Sequence, residues 1–318
     1  RGDIFKGAMF LKNIMVSTLL SLSGFHALHV LTLDNAAAMT RISKESLGGV
    51  KNPLSWFGSF VEANLYGSKG IPFKAIWDNP SYGGKLIKAY EGKIDPAQLS
   101  LADRQTLVYM NEGGFIPHLS MQYKTTAIQS FQKAIRENSP EGYAKGAFWA
   151  PFAVLQLLQK PLMEIWIPRM KAASYAKDAQ SALKVDPSLL QNSQLRIEAF
   201  RRLAKSVENR YGEMAYNTLF WNKMIKDIGV ANTLSLGWQL GFIREYGGGM
   251  MDVGQFVKPG STISQKVKSG LLDRPMFVMF YTSQTLLYGG LMPYALTGCA
   301  PETLEDYIRR HNKMMLYE

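Results

Sequence analysis

The side chains that most often bind metals or perform catalysis are few in this chain. It has four histidines and one cysteine, and His26 and His29 stand three residues apart, a spacing that places both imidazoles on one face of a helix. Metal sites use this spacing, but no carboxylate or cysteine nearby completes a ligand set, and the His-Glu-x-x-His order is absent. We therefore interpret the pair as a polar notch in a helix interface, and we expect neither a metal nor another cofactor.

The single cysteine, Cys299, follows Thr297 and Gly298 in an apolar stretch without a neighbouring base. A thiol becomes a nucleophile when an activating partner lowers its pKa. The sequence therefore predicts a buried structural thiol. One cysteine also excludes an intramolecular disulfide and a cysteine-rich zinc site.

Two glycine-rich segments do not fit the known phosphate-binding loops. Tyr82–Leu86 reads Tyr-Gly-Gly-Lys-Leu, which lacks both the first glycine of a Walker A loop and the hydroxyl residue after its lysine. Gly247–Gly249 follows a helical pattern, and a helix C-terminus repels phosphate. We predict a turn at the first segment and a helix end at the second, where Arg244 and Glu245 would cap the helix.

The carboxylates do not form a recognisable catalytic pair in the sequence. An enzyme whose site is spread over the fold stays open as an alternative, and a pocket that brings Arg104, Glu112 and His118 together would indicate it. Without a nucleophile–base pair or a metal set, we expect that this chain alone is not a catalyst.

The elements that position these residues are predicted to be helices. Apolar residues recur at helical steps through most of the 318 residues, and no stretch shows sustained alternation followed by a hairpin turn. The expected fold is all-α, a multi-helix domain with a loop-rich insertion and no substantial sheet. We divide it into N-terminal apolar helices (1–47), a loop-rich segment (48–120) and a helical body (121–318), which together form one continuous domain cut from a longer polypeptide.

Glycine and proline punctuate these helices. The loop-rich segment contains turn signals at Gly48-Gly49, Asn79-Pro80, Gly83-Gly84 and Gly113-Gly114. Helix starts are predicted at Asp95-Pro96 and at Ser100. Three prolines, Pro151, Pro161 and Pro168, are expected to kink the run from 148 to 167 or to divide it into short helices.

The residues from Pro275 to Pro301 contain no formal charge over 27 positions, which is long enough for a membrane span. Polar residues dilute the stretch, and Gly289-Gly290 with Pro293 should break its helix. We expect two short helices that pack in the core against the unit 209–249. A membrane-active, conduit-forming segment stays open as an alternative.

Lysine and arginine outnumber aspartate and glutamate by 36 to 25, giving a formal net charge of +11. Such an excess favours anionic partners. The basic residues are scattered along helices and no zinc-finger or RRM signature accompanies them. We therefore expect non-specific contact with DNA or an anionic membrane instead of sequence-specific recognition.

The most specific pattern lies between residues 209 and 249. It reads Asn-Arg-Tyr-Gly-Glu-Met-Ala-Tyr-Asn-Thr-Leu-Phe-Trp-Asn-Lys-Met-Ile-Lys-Asp-Ile-Gly over 209–229, and continues with Leu236-Gly237-Trp238-Gln239-Leu240-Gly241 and the Arg-Glu-Tyr-Gly-Gly-Gly run 244–249. A later element, 296–302 with Asp306 and Tyr307, belongs to the same pattern, and 22–27 matches more weakly. The chain resembles, over about a third of its residues, the large polyvalent proteins of tailed phages and conjugative elements. It departs from that family at 308–311, where the sequence predicts a helix in place of the usual closing turn.

This resemblance implies context more than chemistry. Such proteins join many modules and are packaged in the virion interior, then delivered to the host cell with the genome. The resemblance therefore implies an internal or ejected virion protein, with other virion proteins, further copies of itself, DNA or the host membrane as partners. Its motif residues are interpreted as structural, with amide, indole and carboxylate contacts that lock two helix faces. They are Asn209, Asn217, Trp221, Asn222, Asp227, Trp238, Arg244, Glu245, Gly247, Gly248 and Gly249.

Overall fold

The computed structural model describes residues 24–49, 75–117, 126–211 and 236–299, together with 302, 303, 305 and 306. These residues form helices and no strand, so the predicted all-α class is confirmed. The α-helices are α1 (Gly24–Leu47), α2 (Ala75–Tyr90), α3 (Leu101–Gly113), α4 (Thr126–Arg136), α5 (Pro140–Lys160), α6 (Ile167–Val185), α7 (Ser193–Arg210), α8 (Leu236–Val257), α9 (Ile263–Lys268) and α10 (Asp273–Thr297). A π-helical segment, Pro161–Trp166, joins α5 to α6.

Several helix boundaries follow the local signals in the sequence. The Ser100 side chain accepts a hydrogen bond from the Asp103 amide at the start of α3, and Asp95 caps the short 3-10 turn Pro96–Gln98 in the same way. Gly114 ends α3 in the left-handed region, at φ 64°, which glycine adopts without steric cost. These predicted starts and this predicted turn are confirmed.

The turns predicted at Asn79-Pro80 and Gly83-Gly84 are wrong, because both pairs are in the interior of α2. Pro151 lies inside α5 and does not divide it. The chain is helical from Pro140 to Val185, with the π-helical segment at Pro161 as its only departure from α geometry within that range. The physical reason at Gly83 is close packing: a Cβ there would lie 1.8 Å from the Arg169 carbonyl oxygen.

The helix α10 also corrects the prediction of two short helices. It runs unbroken through Gly289-Gly290 and Pro293 as a single helix of 25 residues. Phe277 and Tyr281 are buried on one side of it, and Met279 is exposed on another. None of the described helices combines the length and the apolar character needed to cross a bilayer.

The chain divides into two compact units. The first contains Arg1–Ala27, Asp78–Ala176 and Phe200–Arg244, and the second contains Leu28–Trp77, Lys177–Ala199 and Glu245–Glu318. The helices α1, α2, α6, α7 and α8 each contribute residues to both units. The three-part division that we drew from the sequence stays a prediction.

The first unit has an aromatic core on α3, α6 and α7. The Phe115 ring stacks on Tyr175 with 4.4 Å between centroids, and Tyr109 contacts Phe200 at 4.7 Å. The Tyr175 hydroxyl donates a hydrogen bond to the Tyr109 carbonyl at 2.7 Å. This core fixes the end of α3 against the N-terminal half of α6.

The second unit is tied by ion pairs between its helices. Arg41 of α1 contacts Asp178 of α6 at 2.6 Å, and Lys44 of α1 contacts Asp273 at the start of α10 at 2.8 Å. Lys44 and Asp178 are both buried, so each charge needs its partner inside the protein. These pairs fix the register of α1 against α6 and α10.

Candidate functional site

The most unusual ionisable group in the described residues is Lys171 on α6. Its side chain is fully buried, yet lysine is among the residues that are almost never fully buried unless paired. Its Nζ donates a hydrogen bond to the Ile116 carbonyl oxygen at 2.6 Å and lies 5.0 Å from the centre of the Phe115 ring. A neutral amine can donate this hydrogen bond as well as an ammonium group can, whereas the contact with the ring face favours the ammonium form.

Glu208 on α7 completes this arrangement from the other side. Its carboxyl accepts a hydrogen bond from the backbone amide of Ile116 and interacts electrostatically with Lys171. The two side chains therefore hold both polar atoms of residue 116, where the chain leaves α3. We call Lys171, Glu208 and the Ile116 backbone the 116 clamp.

Burial displaces the pKa of both ionisable groups of the 116 clamp. Removal from water lowers the pKa of Lys171 to about 7, against the opposing attraction of Glu208. Burial likewise raises the pKa of Glu208, and Lys171 opposes that change. Both shifts favour the neutral form of the group, as desolvation requires.

The chemical capacity of the 116 clamp is limited by its burial. A lysine of pKa near 7 is suited to act as a base or to form a Schiff base, but either reaction needs the amine to reach a substrate. Here the side chain has no exposed surface and is already bonded to the main chain. The arrangement therefore holds residue 116, just after α3, against α6 and α7.

A second set of buried charges surrounds Glu245, one of the motif residues. Glu245 on α8 is completely buried, and Arg274 at the start of α10 approaches both Glu245, at 3.9 Å, and Asp252, at 3.8 Å. Gly248 lies beneath the same arginine, because a Cβ there would be 2.6 Å from the arginine Nη1. The prediction that Gly247–Gly249 ends the helix is wrong, since α8 continues to Val257. Gly248 and Gly249 instead let the start of α10 approach.

The other motif residues divide between described and undescribed positions. Asn209 is buried near the end of α7, and its carbonyl oxygen would lie 2.2 Å from a Cβ at Gly241, so α7 and α8 are in close contact there. Arg244 is exposed and does not cap a helix end. The backbone of Trp238 lies in α8. The residues Asn217, Trp221, Asn222 and Asp227 lie outside the described residues.

The candidate catalytic and metal-binding residues are not brought together in the described residues. Arg104 and Glu112 both lie on α3, about 12 Å apart along the helix axis at ~1.5 Å per residue, and His118 lies outside the described ranges. His29 contacts the Tyr281 hydroxyl through Nδ1 at 3.1 Å, which is the polar helix contact expected of it, and the side chain of His26 is not described. Over the described ranges no group of histidine, cysteine and carboxylate side chains could hold a metal ion.

Cys299 contradicts the prediction of a buried thiol. It is exposed and follows Gly298, whose left-handed backbone at φ 70° ends α10. The apolar character of the preceding stretch suggested burial, but α10 ends two residues earlier, at Thr297, and the thiol lies just beyond its C-terminus.

Two kinds of surface remain for contact with partners. In the first unit, α7 presents the exposed cationic side chains Arg201, Arg202 and Lys205. In the second unit, α8 exposes large apolar side chains, of which Met250 and Val257 are 79% and 73% exposed. The first surface fits an anionic partner and the second an apolar one.

Sequence reasoning missed the 116 clamp. Lys171 stands at the start of an amphipathic pattern, where a lysine reads as solvated. The only local signal is the set of buried small residues that follow it, Ala172, Ala173 and Ala176. Small side chains let other segments of the same chain approach α6 closely.

Comparisons with known families, with curated protein sequences and with solved structures each find no match to this chain.

Proposed function

We propose that this chain is a non-catalytic structural and interaction module of a phage internal virion protein, packaged with the genome and ejected with it. The supporting observation is how charge is distributed. The buried ionisable groups of the 116 clamp and of the Arg41–Asp178 and Lys44–Asp273 pairs hold helices together, whereas the exposed surface has the cationic surplus of a +11 chain.

The enclosure of the buried charges within the fold supports a structural role over a catalytic one. An active-site base or nucleophile lies within hydrogen-bond reach of its substrate. Lys171, the described lysine whose pKa is moved towards neutrality, is enclosed and bonded to the main chain. We therefore assign Lys171 a role in stabilising the fold.

Exposed lysine and arginine side chains suit a partner that carries regularly spaced phosphates. Binding to DNA releases condensed counterions, so it requires positive charge and no particular base sequence. Arg201 and Lys205 lie one turn apart on α7 and both are exposed, so one DNA strand can contact both. We infer that packaged DNA is one partner of this module.

A protection assay on particles tests the virion context. In intact particles the chain should resist added protease, and it should leave with the genome when ejection is triggered. Detection of the chain on the outside of intact particles, or its retention in emptied ones, would contradict the proposal. Purified chain digested in parallel provides the control for protease activity.

A charge-matched pair of variants tests the DNA contact. Arg201→Gln with Lys205→Gln removes two exposed cations, and Lys93→Gln with Lys145→Gln removes two that already pair with Glu91 and with Glu137 and Glu141. The first variant should reduce DNA affinity more than the second at the same salt. Equal losses would assign the binding to net charge alone and not to α7.

A further inference from the structure

The exposed face of α8 in the second unit contains apolar residues at alternating steps of four and three. Tyr246, Met250, Val253 and Val257 follow one another at intervals of four, three and four residues, and all four are exposed. This is the spacing by which a helix contacts another helix along a seam. We call these four residues, with the adjacent Met251, the α8 stripe.

Two glycines border the α8 stripe and leave room beside it. A Cβ added at Gly247 or at Gly254 would meet nothing within 4 Å. They differ in this from Gly248 and Gly249 on the same helix, which face Arg274 and Pro275. The glycines beside the stripe are therefore not explained by packing within the described part of the unit, and they would let a second helix approach closely.

The charged residues near the α8 stripe indicate whether it suits an anionic membrane or another helix. From Glu245 to Val257 the sequence contains no lysine or arginine, and its two acidic residues, Glu245 and Asp252, lie near Arg274. A helix that lies on an anionic bilayer carries basic residues beside its apolar face. The α8 stripe contains no basic residue within its own span and is flanked only by the exposed Arg244 and Lys258, so its best partner is an equally uncharged helix.

We propose that two copies of this chain associate through the α8 stripe. In a chain of formal net charge +11, two copies repel over most of their surface, and the uncharged face of α8 is where that repulsion is weakest. Pairing about a two-fold axis would bring the same apolar face from both copies together. The proposal deepens the proposed function, since it names a partner of the interaction module.

The size of the stripe sets the expected strength. The exposed parts of its five side chains amount to roughly 500 Å² per copy, so pairing would bury on the order of 1,000 Å², at the lower limit of specific interfaces. Such a contact gives a reversible dimer with a dissociation constant in the micromolar range. Added salt should strengthen it, because salt screens the repulsion between the two cationic chains and leaves apolar contact intact.

Sedimentation of the full chain from about 1 to 100 μM, at low and high salt, tests this proposal. We expect a monomer–dimer equilibrium that shifts towards dimer as salt rises. Met250→Glu should raise the dissociation constant at least tenfold, because it places a carboxylate at the centre of the seam. Val108→Glu, at an exposed apolar position on α3, is the matched control and should leave the constant within about twofold.

Each contrary outcome overturns the proposal. A monomer throughout this range, a dimer unaffected by Met250→Glu, or a dimer that salt dissociates would each exclude pairing through the stripe. If the chain stays monomeric while phosphatidylcholine vesicles bind it and Met250→Glu abolishes that binding, the stripe docks on lipid instead. DNA binding is measured separately and weakens with salt, so its failure is distinguishable from failure of the dimer.

Discussion

Lys171 shows how a buried ionisable residue can hold a turn without being catalytic. The amine and the Glu208 carboxyl hold the carbonyl and the amide of the same residue, Ile116. The Lys171 side chain is fully buried, and a buried polar group that loses its hydrogen-bond partner is costly, so its bond to the Ile116 carbonyl stabilises the fold. We therefore interpret the 116 clamp as the contact that fastens the residues just after α3 to α6 and α7.

The lowered pKa of Lys171 makes the stability of the fold depend on pH. Its pKa is about 7 in the folded chain and near 10.5 when unfolded, so between these values the unfolded chain binds the additional proton. The free energy of unfolding should therefore rise from pH 7 to pH 9.5, by at most about 1.4 kcal/mol per pH unit. The raised pKa of Glu208 acts with the opposite sign above its unfolded value near 4.5.

Denaturant titrations across this pH range, on the wild type and on Lys171→Met, test the clamp. The variant should lose the rise with pH and should be less stable by about 1–3 kcal/mol at pH 9, where the neutral amine still bonds Ile116 in the wild type. Lys205→Met, at an exposed position on α7, is the control. A slope that persists in Lys171→Met would show that another group produces it.

Gln284 on α10 is a residue whose replacement should stabilise the protein. It is buried, and over the described ranges neither its amide nitrogen nor its amide oxygen has a hydrogen-bond partner. Since burial of such a group is unfavourable, Gln284→Met should raise the free energy of unfolding by roughly 1–2 kcal/mol.

The matched variant for Gln284→Met is Gln105→Met, at an exposed position on α3, which should change stability by less than about 0.5 kcal/mol. Thermal unfolding of the two variants beside the wild type decides the matter. A loss of stability in Gln284→Met would mean that the amide is satisfied in solution.

At the scale of elements, glycines define where the helices cross. In α8 the glycine at 241 lies against the Asn209 carbonyl of α7, whereas the one at 247 faces open space. Gly241→Ala should destabilise the protein by about 1–3 kcal/mol or more, because two backbones would have to separate. Gly247→Ala should stabilise it by about 0.5–1 kcal/mol through helix propensity.

Chemical denaturation of both glycine variants, at a concentration below that of any self-association, checks this pair. Similar effects at 241 and 247 would contradict the close contact between α7 and α8. The comparison is internal to one helix, so differences in overall composition do not affect it.

Features that depend on nearby residues could be predicted from the sequence, and features that depend on distant residues could not. Ser100 and Asp95 act through hydrogen bonds within three residues, so local patterns predicted those helix starts. Gly83 and Gly248 depend on Arg169 and Arg274, which are distant in sequence. From local sequence a glycine pair predicts a turn. Only the position of the neighbouring helix shows that the pair lies inside a helix, at the point where the two helices cross.

The candidate site was harder to predict for the same reason. Lys171 and Ile116 are 55 residues apart, and nothing near Lys171 distinguishes it from a solvated lysine. The charged residues of the motif were easier to select than to interpret. Glu245 was predicted as a structural residue at a helix end, and it is instead buried inside α8 near Arg274.

At the scale of the whole molecule, the charges that hold the helices together are separate from the charges exposed at the surface. The ion pairs between α1, α6 and α10 and the 116 clamp lie inside their units. The excess of positive charge is left for an anionic partner, and packaged DNA is the one that we propose. The uncharged α8 stripe is the surface through which we propose that a second copy binds.

Binding of the purified chain to labelled duplex DNA, titrated from about 50 to 300 mM salt, tests the proposed interaction with DNA most directly. The account predicts binding that is indifferent to DNA sequence, with a logarithm of affinity that falls linearly with the logarithm of salt concentration, by about 0.9 for each phosphate contacted. Absence of binding at 50 mM salt, or binding that does not change over this range, would contradict it.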